Sequence, residues 1–104
     1  MGKIKIMLVC AAGMSTSLLV TKMNGAAVKE KLSVDILAVS ESEADEHLDS
    51  IDILLLGPQV RYLKSNMEEK LHGKDVPVSV IDSIMYGRMD GEGVLKQALE
   101  LVNK

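Results

Sequence analysis

The side chain with the most chemistry to offer is the thiol of Cys10, the one cysteine in 104 residues. It opens the stretch Cys-Ala-Ala-Gly-Met-Ser-Thr-Ser (10–17), directly after an apolar run. A lone cysteine is most often a small buried hydrophobe, but the position of this one changes the reading. Cys10 ends a predicted strand and opens a tight turn containing Gly13, and a long helix is expected within a few residues. Backbone N–H groups at a helix start have no internal partners, and the helix dipole leaves partial positive charge there. Such a place binds phosphate and favours a thiolate over a thiol. The pattern predicts a nucleophilic Cys10 in a phosphate loop made of Ala11, Ala12, Gly13, Met14, Ser15, Thr16 and Ser17. Met14, at the loop tip, either meets a partner or packs back on the core.

Two uses of such a loop must be separated. Cysteine-dependent phosphatases, and the arsenate reductases that resemble them, carry Cys, five residues, then Arg-Ser. The count is the same here, but Thr16 stands where Arg would be and Ser17 matches the Ser. The planar fork of Arg binds two oxygens of a transferring phosphate at once. Losing one preorganised donor from a charge-stabilising site costs roughly 2.7–4 kcal/mol, about 10²–10³ in rate. A phosphatase without that Arg is crippled. A phosphate carrier gains, because its thiophosphate must survive until an acceptor docks, and the hydroxyls of Ser15, Thr16 and Ser17 with the loop amides can hold the dianion without promoting hydrolysis.

The remaining candidates read more plainly. Gln59, Tyr62, Asp82 and Tyr86 lie near the carboxyl ends of predicted strands, where they support the phosphate loop, line a docking surface or serve structure alone. His47 and His72 have no Cys or His partner at ligand spacing, so no metal site is expected. Glu41, Glu43, Asp45, Glu46 and Asp49 read as a solvated helix face, with partner docking the alternative. Gly91-x-Gly93 lacks the third glycine of a dinucleotide fingerprint, and no Gly-Lys-Ser/Thr serves a nucleotide triphosphate. No cofactor is expected.

Composition excludes more. Phe and Trp are absent and Tyr62 and Tyr86 are the only aromatics, although 47% of residues are apolar. Single-stranded nucleic-acid binders need stacking platforms, and flavin sites usually sandwich the ring between aromatics. Twelve basic against fifteen acidic residues, net −3, argue against a phosphate-backbone binder. One cysteine allows no internal disulfide and no zinc site built from cysteine pairs. Ile6–Thr21 is uncharged, but it breaks at Gly13 into hydroxyl residues and falls short of the ~20 apolar residues of a membrane span. A lipoprotein signal wants a small residue before the cysteine, and Val9 is not one. The segment reads as a buried first strand rather than a targeting signal.

The elements that must position these residues follow from periodicity. Ile4–Val9, Val34–Val39, Ile53–Leu56 and Val78–Ile81 are near-continuously apolar, the habit of parallel strands buried on both faces. Leu19, Met23, Ala26 and Ala27 share one face of a helix from about Ser15 to Lys31. Ser40 and Glu43 make a capping box for a short helix reaching about Leu48. Val60, Leu63, Met67 and Leu71 mark a third helix, which Gly73 ends in a left-handed cap. Val94, Leu95, Ala98, Leu99 and Val102 mark the last, from Asp90. Alternating strands and helices give right-handed crossovers and a single-domain, three-layer α/β sandwich around a parallel sheet. Sites in such sheets form beyond the carboxyl ends of the strands, which selects the segments after Val9, Leu56 and Ile81.

Over essentially its whole length the chain resembles the enzyme IIB component of bacterial sugar phosphotransferase systems, of the lactose/cellobiose type. The resemblance rests on residues 10–20, on Leu-Leu-Gly-Pro-Gln (55–59) with Tyr62, and on Val-Ile-Asp-Ser-Ile-Met-Tyr-Gly (80–87) with Asp90-Gly91. It implies a four-stranded parallel sheet in the order 2-1-3-4, flanked by helices, with a phosphatase-like phosphate loop after strand 1. It also implies a cytoplasmic phosphotransferase subunit. A phosphohistidine of the IIA protein gives its phosphoryl group to Cys10, which passes it to a sugar within the membrane-embedded IIC component. The sugar class implied is a β-linked disaccharide such as cellobiose, chitobiose or lactose, with no nucleic acid partner and no direct membrane insertion. Two alternatives stay open on the residues. A low-molecular-weight phosphatase or arsenate reductase-like enzyme needs an Arg at position 16, and the reductase further thiols. A receiver-like regulatory module needs an Asp at the end of the third strand, where this chain has Leu56-Gly57.

Overall fold

The computed structural model describes residues 3–10 and 13–102, the side chains of 13–16 excepted. The apolar runs form β1 (Ile4–Cys10), β2 (Val34–Ser40), β3 (Ile53–Leu56) and β4 (Val78–Val80). They pair in parallel in the order β2-β1-β3-β4. The order is the expected one. The Ile81 N–H still donates to the Leu56 carbonyl at 2.8 Å, so pairing reaches the end of the predicted run although the regular strand stops earlier.

Strand periodicity sorts the core into two layers. Ile6, Leu8 and Cys10 of β1 and Ile53 and Leu55 of β3 face α1 (Gly13–Lys29) and α5 (Gly91–Glu100), against Leu19, Met23, Ala27, Val94, Leu95 and Ala98. Met7, Val9, Leu54 and Leu56 point the other way, onto Ala44, Leu48, Val60, Leu63, Met67 and Leu71. That second layer carries α2 (Glu41–Ala44) and α3 (Lys64–Lys70). Among the described residues no helix is long and apolar enough to cross a membrane.

Three helical segments differ from the periodic reading. The stretch expected as one helix to Leu48 is α2 followed by a 3-10 turn at Asp45–His47. It buries only Ala44 and Leu48 against the sheet, too narrow a stripe to hold a longer helix in place. The stripe from Val60 to Leu71 is likewise split. Residues Pro58–Leu63 form a 3-10 segment with Val60 off helical geometry, and α3 begins only at Lys64. Val60 and Leu63 are both buried, but the backbone kinks at Val60 (φ −118°, ψ 26°), so the stripe is not carried by one continuous helix. Finally, a short helix α4 (Ser83–Gly87) occupies the segment read only as a loop after the last strand.

The ends of α1 and α4 share one device. Lys31 adopts left-handed geometry (φ 58°), and the Leu32 N–H reaches the Ala27 carbonyl at 2.8 Å while the Lys31 N–H reaches Val28 at 3.1 Å. Met89 (φ 54°) repeats it, with the Asp90 N–H on Met85 at 2.9 Å and the Met89 N–H on Tyr86 at 3.1 Å. Both are Schellman closures in which a non-glycine residue accepts the left-handed position. Gly73 takes φ 87°, but α3 ends earlier, with Leu71 as its cap. Gly73 serves the turn that follows, in which the Lys74 N–H donates to the Leu71 carbonyl at 2.8 Å, rather than the helix cap expected of it.

Candidate functional site

Cys10 is the last residue of β1, a central strand, and only Ala11 and Ala12 separate it from the first residue of α1. From β1 the chain crosses to β2 on one side, whereas β3 lies on the other. This is the topological switch point at which open α/β sheets form their ligand crevice. Register places Ser40, the end of β2, beside Cys10. On the β3 side Leu56 pairs with Val9, and the Gly57 N–H donates to the Val9 carbonyl at 2.9 Å.

The sulfur itself is enclosed, with Cys10 1% exposed. Its Sγ lies 3.6 Å from the phenolic Oη of Tyr86, within hydrogen-bond reach for sulfur. Gly57 supplies the space: a Cβ there would stand 2.8 Å from Cys10 Sγ and 2.6 Å from Gln59 Oε1. The thiol and the Gln59 amide oxygen thus border the same gap above Gly57, and Gln59 is otherwise exposed.

Tyr86 arrives through α4. The Asp82 carboxylate accepts from the N–H groups of Ile84 at 2.9 Å and Met85 at 3.1 Å, capping that helix. Gln97 of α5 fastens the same corner. Its Nε2 donates to Ser79 Oγ at 3.2 Å and to the Val80 carbonyl at 3.0 Å, while its Oε1 accepts from the Asp82 N–H at 3.4 Å. Asp90 starts α5 by accepting from the Gly93 N–H at 3.0 Å.

Of the sequence-predicted residues, the structure gathers Gln59 and Tyr86 around the Cys10 sulfur, and it gives Asp82 the task of capping α4. Tyr62 is 68% exposed and its hydroxyl donates to Glu41 Oε1 at 3.4 Å. Ala11 and Ala12 lie outside the described residues. Gly13, Met14, Ser15 and Thr16 contribute backbone to the first turn of α1, their side chains lying outside the described set. Ser17 is exposed on α1, and its carbonyl accepts from Thr21 Oγ1 at 3.1 Å. Among the described residues no three His, Cys, Asp or Glu side chains are gathered as a metal site requires.

Gly57 and Gln97 were missed by sequence reasoning as site residues. A glycine directly after a strand that neighbours the nucleophile's strand is a signal of close approach. A glutamine among Val94, Leu95 and Ala98 on a buried helix face is a signal of an interior hydrogen-bonding task.

On the β2 side the Ser40 backbone N–H donates to Glu43 Oε1 at 3.3 Å, and its hydroxyl donates to the same atom at 3.0 Å. These bonds, the backbone one first, hold the Glu43 carboxyl below its ordinary range. The exposed apolar side chains Leu18, Tyr62 and Ile84 belong to the segments that follow β1, β3 and β4, so they surround the same end of the sheet.

Residues 5–97 match the family described as PTS system, lactose/cellobiose specific IIB subunit. The chain is 42% identical over 98 residues to the PTS system oligo-beta-mannoside-specific EIIB component of Bacillus subtilis, covering 94% of this chain and 95% of that protein. It is 44% identical over 103 residues to the PTS system galactose-specific EIIB component of Lactococcus lactis subsp. cremoris, with the same coverage. The solution structure of a cellobiose-specific phosphotransferase IIB component from Borrelia burgdorferi superposes with a TM-score of 0.80 at 40% identity. It covers 98% of this chain and 94% of that one.

Proposed function

The chain belongs to the lactose/cellobiose-specific IIB subunit family of the phosphotransferase system, and on that footing we propose that it is the cytoplasmic phosphoryl carrier between a IIA protein and a membrane IIC permease. Cys10 takes the phosphoryl group from a phosphohistidine of IIA and gives it to a sugar held by IIC. The observation that carries this reading is the placement of Cys10: it ends a central strand at the switch point, immediately before the start of a long helix. A group bound to that sulfur meets the unpaired N–H groups of a helix start, which hold an anion.

The backbone of Ala11–Ser17 and the hydroxyls of Ser15, Thr16 and Ser17 cradle the phosphate. Gln59 and Tyr86 support the loop from the β3 and α4 sides, and Asp82 acts through α4. Thr16 in place of Arg suits a carrier, since no guanidinium is present at that position to speed attack by water. Leu18, Tyr62 and Ile84 form the apolar part of the surface on which IIA and IIC dock in turn. The sugar is a β-linked disaccharide such as cellobiose, chitobiose or lactose. The two relatives above are named for different sugars at 42% and 44% identity, so the choice among sugars is assigned to IIC.

The test is reconstitution. Phosphoenolpyruvate, the general PTS proteins, IIA and IIC-containing membranes should phosphorylate a β-linked disaccharide only when this chain is added, and Cys10→Ser should abolish the product. Undiminished sugar phosphate with Cys10→Ser would refute the proposal.

A further inference from the structure

A sulfur that attacks phosphorus, or departs from it, carries negative charge. Cys10 is enclosed in the core layer under α1 and α5, and Tyr86 belongs to the same layer. Charge held in such surroundings is costly without hydrogen-bond donors. A phenol O–H 3.6 Å from the sulfur is such a donor.

Much of the surrounding structure keeps it there. A five-residue helix has no stability of its own, and α4 is held at both ends. Asp82 caps its start, and Met89 closes its end from the left-handed region, at a cost to a residue with a Cβ. Gln97 ties the Asp82 backbone to the end of β4. A tyrosine that only filled volume would turn its hydroxyl to water, whereas here the hydroxyl is buried against the thiol.

The geometry points to Tyr86 as a catalytic hydrogen-bond donor: its O–H donates to the Cys10 sulfur whenever that sulfur bears charge, aiming it for attack and stabilising it as the leaving group. The inference rests on the carrier reading above. On acceptance, the S–P bond forms as the P–N bond to the donor imidazole breaks, and the proton lost by the thiol is the one the departing nitrogen takes up. On delivery, the acceptor hydroxyl forms the O–P bond and the S–P electron pair returns to sulfur. The acceptor's hydroxyl proton then returns to the sulfur through solvent. Tyr86 neither loses nor gains a proton in either step.

Tyr86→Phe keeps the ring and removes the donor. Alkylation of Cys10 by iodoacetamide, followed against pH, should reach half its limiting rate at a higher pH in the variant. The rate at neutral pH should fall about tenfold, the scale of one hydrogen bond to a charged group. Phosphoryl transfer from phosphorylated IIA should fall by a similar factor. Coincident pH profiles would overturn the inference, because a purely structural tyrosine leaves them unmoved.

A measurement on the unaltered protein guards against a poorly folded variant. Tyr62 and Tyr86 are the only tyrosines, so the labelled Cζ resonance of Tyr86 can be followed by NMR. It should show an inflection at the pH of the alkylation profile, lost in Cys10→Ser; a Tyr86 resonance blind to Cys10 overturns the inference. If IIA transfers nothing to the wild-type chain while Tyr86→Phe still displaces the alkylation profile, the carrier reading falls and the coupling stands. If transfer proceeds and the profiles coincide, the carrier reading stands and the coupling falls.

Discussion

Gly91 rests directly on the backbone of Lys22: a Cβ at position 91 would stand 2.4 Å from the Lys22 carbonyl carbon and 2.6 Å from the Met23 nitrogen. This is where the start of α5 meets α1, the helix that begins just after Cys10. Backbone cannot yield as a flexible side chain can, so Gly91→Ala should force the two helices apart. The expected loss is roughly 1–3 kcal/mol, the cost of overpacking. Gly25, inside α1, has nothing within 4 Å of its would-be Cβ, and Gly25→Ala should stabilise by roughly 0.5–1 kcal/mol. Urea unfolding of the two variants beside wild type checks both signs.

Gly57→Ala should impair function and stability together, because it crowds the nucleophile itself. The added methyl would press on the Cys10 sulfur and on Gln59, and Gln59 is exposed and able to swing away. The sulfur has less room. Stability should fall by the roughly 1–3 kcal/mol of overpacking. The variant, compared where it is fully folded, should accept the phosphoryl group roughly tenfold more slowly or worse; acceptance at the wild-type rate would mean that the gap above Gly57 is not used.

Asp82→Ala removes the cap of α4 and should cost about 1 kcal/mol. It should also slow phosphoryl transfer, because Tyr86 loses its anchorage beside Cys10. Asp82→Asn keeps a side-chain oxygen that can accept from the Ile84 and Met85 N–H groups, so it should restore most of both losses. If Asn fails to rescue transfer while restoring stability, the carboxylate charge itself matters.

The central strands β1 and β3 were legible because a parallel strand buried on both faces needs only an unbroken apolar run. The edge strands β2 and β4 are only partly buried, so the reading that all four are buried on both faces holds for the central pair alone. Ile53–Leu56 stopped by Gly57-Pro58 is a clear case. The position of Cys10 at a strand end before a helix followed from the same reading, whereas the strand order was implied by the family resemblance. The approach of Tyr86 to Cys10 was not legible. The two residues are 76 positions apart, and their meeting depends on sheet order, on Gln97 reaching across from α5, and on a left-handed Met89. None of these is a periodic signal. The break at Val60 was hidden for a related reason: Val60, Leu63, Met67 and Leu71 suit one helical stripe, but the backbone leaves helical geometry at Val60 itself.

Glu43 gives a pH dependence with a defined sign. Its carboxyl is held below the ordinary range by the Ser40 N–H and hydroxyl. A depressed folded-state value contributes stability that is fully present above the unfolded-state value and is lost as pH falls through the lowered one. Glu43→Gln should therefore differ from wild type at neutral pH and converge on it in acid. The effect should be small, since the group is exposed and screened by solvent. Paired urea titrations at neutral pH and below the carboxylate range would measure it.

The most direct measurement is to locate the phosphate. The chain is incubated with phosphorylated IIA and the product digested under conditions that preserve thiophosphate and phosphoramidate, then mapped by mass spectrometry with phosphorus NMR to identify the bond. One phosphoryl group on the sulfur of Cys10, absent from Cys10→Ser, is the expected result. Phosphate on His47 or His72, or none on the folded wild-type chain, would contradict it.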